Sequence, residues 1–410
     1  MIRGFNKQWA LAALSLVALT GQSLCADDSN YCAFGYQGLG VSTPTKEQAV
    51  QEPEVVILEV QTEQAVAVTD APIADAASSA QPSSPGQQVN GQQIGHRMFD
   101  PHGLKNSCNF WVEGEVLYWQ SSMDDLDFAI KSHSTTNISH GHVEELDFDW
   151  DWGFRLGLGY KIPHDKWDLF LNYTHVHAHA HGSAHRENGA IFPQWMAPFA
   201  VTVPAGQTLY ATRAHAQWSA NVNIADIELG RNCFAGKWLS IRPFMGVRAL
   251  FIDQDFHVDY KGGTAVPVGN EDKVSIDNDF WGVGLRMGFD SLWGLGGGWA
   301  IYGNGAASLL SGHFDIHQHE KLKNDLKKVS ISDDVDNVVV AAELALGIQW
   351  DYLFSKDRYH FGVKFGWEFN VFFDQNQMIR FVSDTSPGAF SRSNEDLTFQ
   401  GLTLGLRFDF

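Results

Sequence analysis

A run of histidines is the part of this sequence whose residue types and spacing come closest to those of a metal site. The segment THVHAHAHGSAH (Thr174 to His185) places His175, His177, His179 and His181 at alternate positions. On a β-strand these side chains share one face, with neighbours about 6 to 7 Å apart. They could bind zinc, copper or nickel, or titrate together near pH 6. The same face also carries Trp167, Leu169, Leu171 and Tyr173, which favours the alternative of a solvated strand at a membrane surface with no ligand.

Charged residues of both signs form a second group, on the polar sides of alternating segments. They are Glu113, Glu115, Arg155, Arg242, Arg286, Glu343, Lys364, Glu368 and Arg407. If these segments are strands of a barrel, all nine side chains face its interior. There they either order water and orient solutes in a pore, or pair with each other and fill a narrow lumen. Both interpretations predict an interior of mixed charge.

The elements that would hold these residues have a period of two. In the last fourteen residues (Leu397 to Phe410), leucine and phenylalanine alternate with small or charged residues. The same pattern recurs in Trp150–Tyr160, Val283–Phe289, Val340–Trp350 and Tyr359–Val371. Strands with one apolar and one polar face are typical of transmembrane β-barrels, where they contact lipid and lumen. A soluble sandwich would need polar outer faces, so we predict an all-β, antiparallel, up-and-down barrel over residues 106–410.

The connections between these segments alternate in length. We expect short turns at Ile162–Lys166, Arg231–Lys237, Ser291–Gly298 and Leu353–Asp357. We expect long loops near residues 121–145, 183–212, 257–274, 314–336 and 375–398. This arrangement gives ten strands, or twelve if Met123–Ser132 is a further strand with a partner. Short turns of outer-membrane barrels face the periplasm, which places the N-terminal segment there.

The N-terminal quarter of the chain differs in composition from the rest. Residues 1–26 combine Arg3 and Lys7 with the apolar run Trp9 to Leu19, as in a signal peptide. Residues 27–105 are acidic and rich in Gln, Ala, Pro and Ser, which predicts a flexible periplasmic segment. No stretch is long and apolar enough for a transmembrane helix. The sequence thus predicts export to the outer membrane.

Charge and cysteine content exclude several classes of function. The formal net charge of -20 argues against a nucleic-acid partner. After removal of the signal peptide the cysteines are Cys32, Cys108 and Cys233, an odd number without zinc-ligand spacing. Cys32 could cross-link to Cys108, to Cys233 or to another protein in an oxidising envelope. No nucleophile elbow, phosphate loop or carboxylate constellation stands out, so we expect no enzyme and no cofactor. A hydrolase inside a barrel is the alternative, since its catalytic residues would be scattered along the sequence and form no such motif.

Several segments resemble a known family. The strongest is DFWGVGLRMGFDSLWGLGGGWAIYGNGAASLLSG (Asp279 to Gly312), supported by WVEGEVLYWQ (Trp111 to Gln120) and FQGLTLGLRFDF (Phe399 to Phe410). From about Cys108 onward the chain is similar to the pore-forming major outer membrane proteins of Legionella type, which also occur in chlamydiae of amoebae. The resemblance implies a porin-like barrel without catalytic residues and says nothing about the histidine run.

Two functions remain open at this point. The first is a porin-like channel for passive diffusion of small hydrophilic solutes and ions. The second is a structural or adhesive barrel with a closed lumen, whose outer loops contact the envelope or a host. Outer-membrane lipid is the expected surrounding in both cases, and a homo-oligomer is left open.

Overall fold

The computed structural model describes most of the predicted barrel region. The described residues are 104, 108–136, 140–163, 165–201, 203, 207–266, 270–322, 326–383, 385–386 and 388–410. The predicted signal peptide (1–26) lies outside them, as does the predicted periplasmic segment (27–105) apart from Leu104. The described residues contain no helix long and apolar enough to cross a membrane.

Ten antiparallel strands form the wall of a closed barrel, numbered here in chain order. They are β1 (Phe110–Met123), β2 (Trp150–Lys161), β3 (Trp167–His185), β4 (Arg213–Arg231), β5 (Leu239–Lys261), β6 (Asp272–Gly296), β7 (Trp299–Leu322), β8 (Leu326–Phe354), β9 (Tyr359–Asn376) and β10 (Glu395–Asp409). Each strand pairs with the next, and β10 pairs with β1. Closure leaves no unpaired strand edge in lipid, as a membrane barrel requires. The predicted all-β, up-and-down barrel of ten strands is confirmed.

The alternative of twelve barrel strands is wrong. The strand Ala129–Ser132 does form, but it pairs with Gly141–Glu144 and Ala190–Pro193 in a separate three-stranded sheet. A second small sheet joins Ile379–Phe381 to Phe390–Arg392. Both sheets belong to the long connections, and the turn Pro198–Ala200 beside them is a short 3-10 helix. These connections therefore have secondary structure of their own.

The four short turns fall where the sequence predicts them, at the ends of β2, β4, β6 and β8. One predicted long loop is wrong. Residues 314–322 and 326–336 continue β7 and β8 as a paired ladder, from Phe314 opposite Val335 to Leu322 opposite Leu326. Strands β5 to β8 consequently have 23 to 29 residues, far more than a bilayer needs. They carry the barrel wall well beyond the membrane.

The outer face of the barrel carries an apolar band between two levels of tryptophan. On β6 the exposed side chains Val283, Leu285 and Met287 lie between Trp281 and Trp293, which are 54% and 48% exposed. The two tryptophans are twelve positions apart on a tilted strand, a distance that corresponds to the height of the apolar band in such barrels. The residues of β6 before Trp281 therefore lie beyond the membrane-spanning part.

The inner face has two distinct halves. Near the short turns it is charged, and nearer the long connections it is apolar. The apolar half includes the fully buried Leu117, Leu250, Phe280, Phe314 and Phe399. In this half the inward side chains pack into a core, as in a small soluble domain.

Candidate functional site

A single cavity collects the charged residues that the sequence singles out. It has a volume of about 250 Å³ and lies in the half of the barrel nearer the short turns. All nine predicted lumen residues line it. Its basic residues are Arg155, Lys161, Arg242, Arg248, Arg286, Lys364 and Arg407. Its acidic residues are Glu113, Glu115, Asp168, Glu228, Asp290, Glu343 and Glu368. Seven positive groups thus face seven negative groups, and we call this space the charged chamber.

One group of ion pairs occupies the chamber wall where the first and last strands meet. Arg155 on β2 contacts Glu115 on β1 at 2.6 Å and Glu368 on β9 at 2.9 Å. Lys364 also contacts Glu115. A single carboxylate therefore accepts from cations of two different strands. These contacts join β1, β2 and β9 through their inner faces.

A second group of ion pairs occupies the opposite wall. Arg286 on β6 contacts Glu228 at 3.1 Å and Glu343 at 2.8 Å. Arg242 on β5 contacts Asp168 at 2.5 Å and Asp290 at 2.9 Å. Each guanidinium thus contacts two carboxylates from two other strands, a geometry that the planar arginine fork favours.

A third group closes the chamber at the end with the short turns. The carboxylate of Asp409 contacts Lys161 Nζ at 2.5 Å, His360 Nδ1 at 2.7 Å and Arg407 Nε at 2.8 Å. His360 Nε2 contacts Asp351 at 3.0 Å. Both His360 and Asp409 are fully buried. The last strand is therefore joined to β2 and β9 by charged contacts, in addition to its ladders with β1 and β9.

These ion pairs correspond to the second interpretation of the lumen charges, in which they pair with each other inside the barrel. Eight of the nine predicted residues pair with each other across strand boundaries, and Arg242 pairs with Asp168, Glu228 and Asp290. Paired charges still polarise the space between them, and the chamber remains large enough for several water molecules. The arrangement can hold water and small polar solutes, and it presents no excess of either sign to them.

Five chamber residues escaped the sequence analysis: Lys161, Asp168, Glu228, Arg248 and Asp290. Strand parity alone would have found three of them, of which Lys161 shares its face with Arg155 in DWGFRLGLGYK. Glu228 shares its face with Asp226 in NIADIELG, and Arg248 shares its face with Arg242 in IRPFMGVRALF. Asp168 and Asp290 lie next to predicted turns, where the alternation is harder to follow.

The histidine run lies on the outer face of β3. His175 and His177 are partly exposed, and His179 and His181 are exposed, while the alternate residues Val176, Ala178 and Ala180 are buried. The histidines therefore continue the lipid-facing side past Tyr173, as their parity predicts. They take no part in the charged chamber.

Three of the four imidazoles have a partner on an adjacent strand, and the partner of His181 lies just before β2. His175 and His177 contact Asn223 and Asn221 through Nδ1. His179 contacts Asp151 at 3.1 Å, and His181 contacts Asp149 at 3.2 Å. Over the described part of the chain, no group of three or more His, Cys, Asp or Glu is arranged to hold a metal ion. Metal binding by this run stays a prediction.

The cysteines give one observation. Cys108 is a free and exposed thiol just before β1. Cys32 lies outside the described residues, so the cross-link through Cys32 stays a prediction.

Several solved outer-membrane proteins are similar to this chain. The outer membrane protease OmpT from Escherichia coli has 8% identity and a TM-score of 0.39, covering 76% of this chain and 100% of its own. The Pseudomonas putida toluene transporter TodX has 7% identity and a TM-score of 0.27, covering 75% and 90%. A Pseudomonas aeruginosa FadL homologue has 6% identity and a TM-score of 0.23, covering 74% and 90%. Similarities at this level give no information about the function of this chain.

No curated protein is significantly similar to this chain in sequence. One family model does match, that of the Legionella pneumophila major outer membrane protein precursor, over residues 105–410. The match covers the whole barrel, including both walls of the charged chamber. Together with the closed barrel and its apolar band, it establishes an outer-membrane location. The chain belongs to the family of the Legionella pneumophila major outer membrane protein precursor.

Proposed function

We propose that this outer-membrane barrel is a porin-like channel through which small hydrophilic solutes and ions diffuse passively. The observation that carries the proposal is the charged chamber in the membrane-spanning half of the lumen. A passage for polar solutes needs such a hydrated, polar surface. It needs no catalytic step and no cofactor, and we propose neither.

The energetic cost of the chamber supports a role beyond holding the fold together. Buried ion pairs cost much of their attraction in lost hydration, and apolar residues of similar volume often stabilise a protein as well or better. A purely structural barrel could therefore fill this half with leucine and valine, as its other half is filled. Fourteen charged side chains around one cavity are consistent with selection for a hydrated interior.

The apolar half of the lumen favours the second candidate, a structural or adhesive barrel with a closed lumen. Its side chains are packed, with Leu117, Leu250 and Phe314 all at 0% exposure. A solute that enters the chamber must pass this layer to cross the membrane. The channel therefore conducts only when the layer opens, and frequent closure is part of the proposal.

Single-channel recording on the refolded full chain distinguishes the two candidates. We expect small current steps separated by long closed intervals, with reversal potentials near zero in a salt gradient because the chamber charges balance. Refolding is checked by heat-modifiable migration on gels. A barrel that refolds by this criterion and seals bilayers without any current step is the structural barrel.

A further inference from the structure

Four amide side chains inside the barrel are buried without full hydrogen bonding. Gln254, Asn278 and Gln375 are 0% exposed, and Gln318 is 2% exposed. Six of their amide atoms have no hydrogen-bond partner among the described residues: Gln254 Oε1, Asn278 Oδ1, and both amide atoms of Gln318 and of Gln375. Buried polar groups of folded proteins nearly always have a partner. This amide cluster therefore needs an explanation.

The cluster lies beyond the apolar layer as seen from the charged chamber. On β5, Gln254 follows Leu250 and Ile252 on the inner face. Gln254 is opposite Asn278 in the ladder between β5 and β6. The layer itself contains Phe280 and Phe314, whose ring centroids are 4.6 Å apart. A solute that leaves the chamber must cross these rings and then reach the amides.

One segment covers the cluster from the wall of the barrel. The ladder between β9 and β10 is interrupted after Phe372 and resumes where Asn376 pairs with Glu395, so the residues between them form a bulge. The carbonyl of Gln375 accepts hydrogen bonds from Gln254 Nε2 at 3.3 Å and from Asn278 Nδ2 at 2.9 Å. Bulges of this kind redirect a strand, often beside a functional site.

The rest of the segment is also buried in the lumen. Asn376 Nδ2 donates to the carbonyl of Asp124 at 3.2 Å. Met378 is 0% exposed and Gln377 is 2% exposed. On the side of β10, Asn376 pairs with Glu395, Gln377 Nε2 donates to Asn394 Oδ1 at 3.2 Å, and the carbonyl of Met378 accepts from Ser393 N at 3.0 Å. On the opposite side, Gln254 and Asn278 supply the hydrogen bonds that join the segment Gln375–Met378 to β5 and β6 across the lumen.

The closed arrangement leaves polar groups unpaired that an open one would hydrate. Each buried amide atom without a partner loses its hydrogen bond to water, which destabilises the closed state. When Gln375–Met378 moves away, water reaches the amides of Gln254, Asn278 and Gln318 and satisfies them. The apolar packing favours closure, the unpaired amides favour opening, and the two effects oppose each other.

We propose that Gln375–Met378 is the gate of the channel, held shut through Gln254 and Asn278, and that the amide cluster lines the narrow passage when the gate opens. The inference rests on the proposed channel function. Neutral amides offer both donors and acceptors without charge, so this part of the passage suits uncharged polar solutes such as small sugars. The charged chamber then determines how ions pass, and the amide cluster favours neutral solutes.

The test compares single-channel recordings of the refolded full chain with those of the double variant Gln254→Ala/Asn278→Ala. This variant removes both donors to the Gln375 carbonyl. The loss of two hydrogen bonds outweighs the removal of the unpaired oxygens Gln254 Oε1 and Asn278 Oδ1, so the ratio of open to closed time should rise about tenfold. The single variant Asn278→Ala should give a smaller rise. Gln217→Ala, on the outer face of β4, is the matched control and should behave as the unchanged chain does.

Uptake of a neutral sugar into proteoliposomes provides a second readout and should rise in parallel. If the unchanged chain and the double variant conduct with equal open times, the channel stands and the gate is refuted. If only the variants conduct, the unchanged chain is the structural barrel and the channel proposal fails, although Gln254 and Asn278 are then shown to hold the lumen shut. If all refolded proteins seal the bilayer, the channel itself fails and the gate fails with it. Asn278→Ala keeps the test decisive should the double variant not refold.

Discussion

Arg248 shows how strongly single side chains depend on their partners inside this barrel. It is 2% exposed and binds both carboxylate oxygens of Asp226, at 2.7 Å each, from the neighbouring strand. It also contacts Glu343 on β8, on the far side of two intervening strands. Removing such a cation leaves two carboxylates buried without compensation, which is more costly than never having had the pair.

We therefore predict that Arg248→Met destabilises the folded barrel by about 3 to 5 kcal/mol. The measurement is urea unfolding of the protein reconstituted in lipid vesicles. Adding Asp226→Asn and Glu343→Gln to the same chain should recover much of the loss, because both carboxylates are then neutral. A variant with only the arginine replaced that unfolds at the same urea concentration as the unchanged chain would contradict this account.

Substitutions of Arg286 and Arg407 test how the chamber charges determine ion selectivity. Both line the charged chamber, on different walls. Replacing either with Glu changes the chamber by two negative charges, so the reversal potential in a salt gradient should move toward that of a cation-selective pore. Lysine at the same position keeps the charge and is the control. An unchanged reversal potential in a conducting Glu variant would place the ion path elsewhere.

At the scale of strands, the extension beyond the membrane carries a row of like charges. Asp253, Asp279, Asp315 and Asp334 are consecutive cross-strand neighbours on β5 to β8, all on the outer face. Directly opposed like charges destabilise a sheet. Asp279 lies on the outer side of Trp281, beyond the apolar band. Partial burial, together with the nearby Asp253, Asp255, Asp277 and Asp315, raises the pKa of Asp279 to about 6.

This raised pKa predicts that the barrel becomes less stable as the pH rises. The folded state holds the proton of Asp279 more tightly than the unfolded chain does, so the stabilisation is complete below the unfolded pKa of about 4. It is lost as the pH rises through about 6. Asp279→Asn should therefore raise the unfolding temperature at pH 8 and change it little at pH 4. Asp165→Asn, in the short turn after β2, is the control, and an equal effect of both variants would refute the role of the row.

The same strands show where sequence reasoning succeeds and where it fails. The lipid-facing alternation of strands such as β6 and β10 predicts the barrel, and the same alternation places nine of the chamber residues on inner faces. The spacing of the turns predicts ten strands but leaves twelve as an alternative. The continuation of β7 and β8 through residues 314–322 and 326–336 is not predicted, because its alternation differs from that of a lipid-facing strand. His and Asp lie outside, and Phe314 and Ile316 lie inside. That pattern belongs to a soluble sheet with an apolar core. The bulge after Phe372 has no sequence signal, since it depends on contacts with β5 and β6.

At the scale of the whole molecule, the cysteines bear on how the barrel is linked to its surroundings. Cys108 is free and exposed beside the first strand. In an oxidising envelope we predict that Cys32 forms a cross-link to Cys108, to Cys233 or to a neighbouring protein. Non-reducing gels of envelope fractions should show a form that migrates differently from the reduced protein, and Cys32→Ser should remove it. Three free thiols in the untreated envelope protein would contradict the prediction.

The long strands β5 to β8 also determine what an external molecule meets at the cell surface. Between Asp272 and Phe280 alone, β6 continues for about 30 Å along the strand on the outer side of Trp281. Proteases cut exposed loop tips far more readily than paired strands. Trypsin added to intact cells should therefore leave Lys273 uncut although its side chain is exposed, while Arg186, just after β3, is a more accessible site. Antibodies raised against the native surface should likewise recognise folded hairpins and lose binding once the protein is boiled.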